Sequence, residues 1–337
     1  TMKEALLYDK LSNNLVHCRL CNHLCKIVDG KWGLCGVRQN IKGVLYTTVY
    51  GKVIAAHVDP IEKKPLYHFL PGSRAFSIAT MGCNFRCGFC QNWEISQVRS
   101  SDGASLPEEE AHVEEIVKSA LRNHCQSISY TYTEPTIFFE YAYDCAKLAR
   151  EKGLRNNFVT NGYMTSDAIK MIKPYLDAAN IDLKFFKEEL YVKICSGGLK
   201  EVLDSIKCMY ENKIWVEITT LVIPGQNDDE MQLKGIAEFI ASVDKNIPWH
   251  ISRFFPNYNY KDLKPTSEQA LKMAWELGKQ AGLRYIYVGN VQGFGDDTHC
   301  HNCKKLLIKR EVFSILEYNI KEGKCVYCQA RIPGIFS

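Results

Sequence analysis

The chain has 337 residues, a formal net charge of +4 and a hydrophobic share of 46%. That length fits a barrel with additions rather than one small domain. The mild charge gives no argument for a nucleic-acid partner, and no apolar run approaches the roughly 18 residues that span a bilayer.

Fifteen cysteines are present, and eleven fall in three tight sets at 18–35, 83–90 and 300–328. Clustered pairs of this kind read as metal sites in a reducing compartment, not as a disulfide framework. The opening Thr1-Met2-Lys3-Glu4-Ala5 reads as no secretory leader. A cytoplasmic location is expected.

The first feature in chain order is Cys18-x2-Cys21-x3-Cys25-x9-Cys35, with His17 and His23 close by. Four thiolates suffice for zinc or for a four-iron cube, and structural zinc is the reading favoured. Residues 59–69 mix charge, aromatics and proline without a period; their place just before the next strand could set them beside the cysteine motif that follows it, and alone they read as a surface loop. Residues 75–81 form an apolar strand that ends at Cys83-x3-Cys87-x2-Cys90. Three thiolates can hold three irons of a [4Fe–4S] cube. A purely electron-carrying cube normally takes four, so an open iron implies chemistry at the cluster.

Strand-like and helix-like segments then alternate. Helical spacing runs over 107–124, with Ser105-x-x-Glu108 as a capping box. Strands are expected at 127–133, 157–160, 179–185, 214–222, 249–254 and 285–288. Helices are expected at 137–152, 166–175, 199–211 and 229–243. A last helix starts at a Thr266-x-x-Gln269 cap and runs to 282. Strict alternation implies a parallel sheet with crossover helices. The alternative arrangement is an open doubly wound sheet.

In either fold, ligand groups gather at the carboxyl ends of strands. The candidates there are Glu134 before Pro135, Asn161 in a Thr-Asn-Gly turn, the Asp182/Lys184 pair and His250 with Ser252 on one strand face. The end of the 214–222 strand offers backbone and apolar side chains suited to an adenine edge. At the C-terminus, Cys300-x2-Cys303 and Cys325-x2-Cys328 give a zinc-ribbon signal. A rubredoxin-like iron site or an auxiliary cluster is the alternative there.

The Cys83–Cys90 motif after a strand resembles the radical S-adenosylmethionine (SAM) superfamily. More narrowly, the chain resembles the radical SAM enzymes of the AmmeMemoRadiSam system, which are related to pyruvate formate-lyase-activating enzymes. That resemblance rests on Cys-Arg-Leu-Cys-Asn-His-Leu-Cys at 18–25, Gly33-Leu34-Cys35-Gly36-Val37-Arg38, residues 59–69, the motif itself, Tyr132-Thr133-Glu134-Pro135, Ile181-Asp182-Leu183-Lys184 and Ile332-Pro333-Gly334. Where the superfamily usually has Gly-Gly-Glu-Pro, this chain has Tyr-Thr-Glu-Pro. Residues 91–105 hold no cysteine, so the ferredoxin insert of some activating enzymes is absent.

The resemblance implies a partial (β/α)6 TIM-like barrel over 74–290. Around it would lie a four-cysteine module at 1–45, a connecting segment at 46–73 and a zinc-ribbon-like module at 291–337. It implies a [4Fe–4S] cluster on Cys83, Cys87 and Cys90, with SAM and substrate contacts from Glu134, Asn161, Asp182, Lys184 and His250. The implied activity is reductive cleavage of SAM to a 5′-deoxyadenosyl radical that takes hydrogen from a small-molecule or peptide substrate. The implied partners are an electron donor such as flavodoxin or ferredoxin and Ammecr-type and Memo-type proteins. The competing readings are an activase for a glycyl-radical enzyme and a non-catalytic zinc- or RNA-binding adaptor.

Overall fold

The computed structural model describes residues 2–105, 107, 110–291 and 295–337. Its centre is an eight-stranded sheet: β1 (Val53–Pro60), β2 (Arg74–Thr80), β3 (Ser127–Tyr130), β4 (Arg155–Thr160), β5 (Ala178–Asp182), β6 (Trp215–Val222), β7 (Trp249–Arg253) and β8 (Ile286–Gly289). The strands lie side by side in sequence order. β1 runs antiparallel to β2, and every later neighbour is parallel. Helices α1 (Val113–Arg122), α2 (Phe139–Glu151), α3 (Ser166–Ile172), α4 (Leu199–Glu211), α5 (Glu230–Val243) and α6 (Glu268–Gln280) supply the crossovers.

An open doubly wound sheet reverses its strand order at a switch point. This sheet never reverses, and among the described residues β1 and β8 do not pair. The architecture is therefore the expected partial barrel. Its strands are buried along most of their length, as parallel strands covered on both faces must be.

Local chemistry moved several boundaries. Helix α1 starts at Val113, not near 107, because His112 and Glu115 form the capping box that stops it. Glu115 Oε2 accepts the His112 N–H at 2.9 Å. The box expected at Ser105-x-x-Glu108 lies outside the described residues. Helix α6 is capped by Ser267, whose Oγ accepts from Ala270 N, and not by Thr266. The Thr266 hydroxyl instead donates to Val222 O at 2.5 Å and accepts from Phe254 N at 2.7 Å, tying the ends of β6 and β7 together. Strand β1 was not expected. Its exposed Ala56, His57 and Val58 and its terminal Pro60 suit an edge strand and leave no alternating pattern to read.

Before the barrel lie two small antiparallel sheets, one holding Val16–Cys18 and the other Arg38–Ile41. After it, Leu306–Glu311 and Ser314–Tyr318 form a hairpin. Glu217, wholly buried on β6, fixes the segment before β2. Its carboxylate accepts Tyr67 N at 3.0 Å, His68 N at 2.8 Å, Trp215 Nε1 at 3.0 Å and His250 Nε2 at 2.7 Å. Burial pushes its pKa up, but the hydrogen bonds from His250 and Trp215, with the charge of His250 and His68 nearby, hold it below the usual carboxylate value. The same segment then receives the C-terminus: His68 Nδ1 meets Pro333 O, and Phe69 and Ile335 form a parallel bridge. No helix among the described residues is long and apolar enough to cross a membrane.

Glu217→Ala would leave four buried donors without their acceptor. We expect a loss of about 3 kcal/mol or more in unfolding free energy, measured by urea denaturation. A loss under about 1 kcal/mol would contradict this anchoring role.

Candidate active site

β2 delivers the chain to the cysteine loop. Gly82 makes the turn at φ +94°, where a Cβ would lie 3.0 Å from Val37 Cγ1. Beyond it, Cys83, Cys87 and Cys90 line one cavity of about 500 Å³. Glu134, Asn161, Asp182 and Lys184 line the same cavity, so the ends of β3, β4 and β5 converge on the cysteine loop. A three-thiolate donor set lining one cavity with these polar groups would suit a cube that keeps one iron without a protein ligand.

Glu134 is buried and already well bonded. Its Oε1 accepts from Thr136 N at 3.0 Å, from the Thr136 hydroxyl at 2.5 Å and from the Thr160 hydroxyl at 2.7 Å. Its Oε2 accepts one bond, from Asn161 N at 2.7 Å, and keeps capacity for another donor. Burial pushes its carboxyl above the usual range despite those donors. Asn161 in turn donates to Asn84 Oδ1 at 2.7 Å and lies 3.8 Å from Cys83 Sγ. Gly162 follows at φ +71°, and a Cβ there would meet Ile181 at 2.7 Å, so the turn is closed to larger residues. Lys184 Nζ pairs with Asp182 Oδ2 at 2.7 Å. Burial would lower the Lys184 pKa, but Asp182 and Cys87 raise it well above the ordinary value, so the ammonium stays charged.

His250 is placed differently from the expectation. It does not line the cluster cavity. Paired in register with Thr219 and Tyr287, it sits one step below the strand rim and bonds Glu217. It lines a second cavity of about 1220 Å³, with Tyr67, Tyr287, Glu62 and Arg310. Ser252, two residues nearer the strand end, lines both cavities, as do Lys63, Gln91 and Thr219. The two cavities adjoin at those four residues.

Sequence reasoning missed Lys64 and its partners. The 59–69 segment is not a surface loop: Lys63 and Lys64 line the cluster cavity. Lys64 Nζ is 2.6 Å from Asp59 Oδ2, Lys63 Nζ is 2.9 Å from Asp59 Oδ1, and the Tyr132 hydroxyl donates to Asp59. Burial lowers the Lys64 pKa to about 8, even with Asp59 beside it. The signal available was the crowding of Asp59, Lys63 and Lys64 just ahead of β2. Cys195, assigned no role from sequence, lies against Cys87, and its carbonyl accepts Arg86 N at 2.8 Å.

The C-terminal cysteines form a second kind of site. The sulfurs of Cys300, Cys303, Cys325 and Cys328 all lie within 4.8 Å of one another, close enough for one metal ion. Cys18, Cys21, Cys25 and Cys35 line a separate small cavity with Thr136 and Ile137, just ahead of α2.

Residues 77–233 match the family model for the radical SAM superfamily. An uncharacterized protein of Methanocaldococcus jannaschii is 43% identical over 335 residues, covering 98% of this chain and 99% of its own. A protein of the same organism, provisionally named a glycyl-radical enzyme activating enzyme, is 28% identical over 70% of this chain and 87% of its own. Among solved structures, a radical SAM methyltransferase from Sphaerobacter thermophilus superposes with a TM-score of 0.51 at 14% identity, over 66% of this chain and 68% of that one. At that identity the likeness is one of fold.

Two outcomes test the Asp59–Lys64 pair. Asp59→Asn leaves a buried ammonium without its counter-charge and should cost about 3–5 kcal/mol of stability, while Asp59→Asn with Lys64→Met should recover most of it. With a folded value of about 8 against an ordinary 10.5, Lys64 gives up its proton earlier in the folded state. The unfolded chain then holds more protons between those values, so wild-type stability relative to Lys64→Met should rise with pH across that window. Denaturation curves at several pH values read both, and parallel pH profiles for the two proteins would refute the second.

Proposed function

We propose that this chain, which belongs to the radical SAM superfamily, reductively cleaves SAM and takes hydrogen from a small-molecule or peptide substrate. The observation that carries this is the single cavity shared by Cys83, Cys87 and Cys90 with Glu134, Asn161, Asp182 and Lys184. When bound, the [4Fe–4S] cluster and SAM supply a 5′-deoxyadenosyl radical; the protein supplies the geometry and keeps water out.

The three cysteines would hold the cluster. The free capacity of Glu134 Oε2 suits the SAM ammonium. Lys184, kept charged by Asp182, and Lys64 suit anionic oxygens such as the SAM carboxylate. Asp182 has one oxygen on Lys184 and suits a ribose hydroxyl with the other. Asn161 would orient the Cys83 side of the cluster through its amide. The adjoining larger cavity would take the substrate, with Ser252 and Thr219 at the junction and His250 in its wall.

That chamber favours a small or flexible substrate. The activating-enzyme relative supports a second reading, in which a loop of a glycyl-radical partner enters the same space. The adaptor reading has no use for the converging strand ends. We further propose membership of the AmmeMemoRadiSam system, with Ammecr-type and Memo-type proteins as associates, a flavodoxin or ferredoxin as donor and a cytoplasmic setting. Zinc is proposed for Cys300, Cys303, Cys325 and Cys328, and the module boundaries near 45, 73 and 290 stand as part of the same reading.

The test is anaerobic reconstitution with iron and sulfide, then SAM and dithionite, with 5′-deoxyadenosine measured by chromatography. Wild type should form it, and Cys87→Ala should fall by at least about 100-fold, since the cofactor carries the chemistry. Lys184→Met should weaken SAM binding about tenfold, the scale of one charge-assisted hydrogen bond. A fully loaded protein that neither binds nor cleaves SAM would overturn the proposal.

A further inference from the structure

The three cysteine sets differ in how far apart the sulfurs stand. In the C-terminal set, Cys300 and Cys328 sulfurs are 3.6 Å apart and Cys303 and Cys325 sulfurs 3.7 Å apart. A tetrahedral ion with metal–sulfur bonds of about 2.3 Å spaces its thiolates roughly 3.8 Å apart. That spacing suits four thiolates closed around one ion. Among the described residues it is the only group in which three or more His, Cys, Asp or Glu ligand atoms lie within 4.8 Å of one another.

The N-terminal set is not closed in this way. Cys18, Cys21, Cys25 and Cys35 all face one cavity, with Ile27, Thr136 and Ile137 in its wall. Yet no three of their sulfurs come within that separation, and neither do those of Cys83, Cys87 and Cys90. A cube carries its thiolates on the outside of an eight-atom core, so it holds them farther apart than a single ion does. The N-terminal sulfurs, like those of the three-cysteine motif, therefore stand wider apart than those of the C-terminal set. The zinc expected there from sequence would need the closed spacing.

The surroundings suit an anionic cluster. Arg38 is buried, pairs with Glu140 and points Nη1 at Cys18 Sγ from 3.5 Å. Donors to cluster sulfurs, and burial, tune the potential of such centres. The set also abuts the active-site loop. Arg86 donates through Nη2 to Leu34 O at 2.6 Å, next to Cys35, and through Nη1 to Cys83 O at 2.8 Å. The His23 ring nitrogen Nε2 lies 2.8 Å from Asn84 O.

We infer that Cys18, Cys21, Cys25 and Cys35 hold a second [4Fe–4S] cluster. With four cysteines, each iron has a protein ligand and none is open to SAM. The cluster is then a one-electron carrier: a flavodoxin- or ferredoxin-class donor loses one electron and the cluster core gains it. The assignment of this metal site stands whether or not the activity proposed above is correct.

The experiment uses the full chain, reconstituted anaerobically with ferrous iron, sulfide and zinc all present. Iron, sulfide and zinc are counted by elemental and colorimetric analysis, and dithionite-reduced samples are read by electron paramagnetic resonance. Wild type should hold about eight irons and eight sulfides with one zinc, two cubes' worth. The triple variant Cys83→Ala/Cys87→Ala/Cys90→Ala should keep about four of each and a reduced-cluster signal that SAM does not perturb. An iron-free triple variant with two zinc ions would overturn the inference. Should that variant fail to fold, the wild-type count decides: about four irons would overturn it equally. Loss of SAM cleavage with eight irons present would count against the proposed activity and leave this site standing.

Discussion

A carboxylate can leave water only where other donors replace it, and the additions to this barrel are fastened by that constraint. Glu217 draws the segment before β2 onto β6 through two backbone N–H groups. Glu140, on α2, accepts Leu6 N and pairs with Arg38, which seats the N-terminal sheets. Glu134 joins the end of β3 to the end of β4. Asp59 gathers Lys63, Lys64 and Tyr132 beside the cluster loop. Each is costly alone and much less so with its donors in place. Each therefore specifies one position for the element it grips, which is what a cofactor held between several strand ends requires.

The parts of the fold that were legible share one property: their sequence pattern is set by local geometry. Parallel strands buried on both faces must be apolar runs, and the crossover helices must carry one apolar stripe, so β2 to β8 and most helices could be read directly. β1 could not, because an edge strand with an open outer face is free of that demand. The cap of α6 falls on Ser267 and not on Thr266 because the Thr266 hydroxyl is taken up by Val222 O and Phe254 N.

In the candidate site, residues fixed to strand ends were legible and residues that arrive from elsewhere were not. Glu134, Asn161, Asp182 and Lys184 follow from the rule that ligands gather at carboxyl ends. His250 obeyed the alternation of its strand but not the depth: side-chain direction repeats every two residues, and nothing in that period says which repeat reaches the rim. Lys64 lies before the barrel begins: β1 runs antiparallel and ends with Pro60 beside Arg74, the start of β2, so Lys64 reaches the cluster cavity from the end of the sheet opposite the mouth. Cysteine spacing shows the same limit. It tells which thiols are neighbours in the chain, while the distance between sulfurs, which separates one ion from a cube, is decided by the fold around them.

The C-terminal hairpin has a consequence of another kind. Arg310, Glu311, Val312, Phe313 and Leu316 line the larger cavity, and Arg310 reaches back to Tyr67 O at 3.0 Å. The hairpin adjoins the four-cysteine group, so a metal held there would help set the shape of the chamber wall. A reactive radical abstracts from whatever is nearest, buffer included. On the proposed activity, the quality of that wall governs fidelity: the fraction of turnovers that reach substrate instead of being quenched. The terminal module is then a shield for the chemistry as well as a support for the fold.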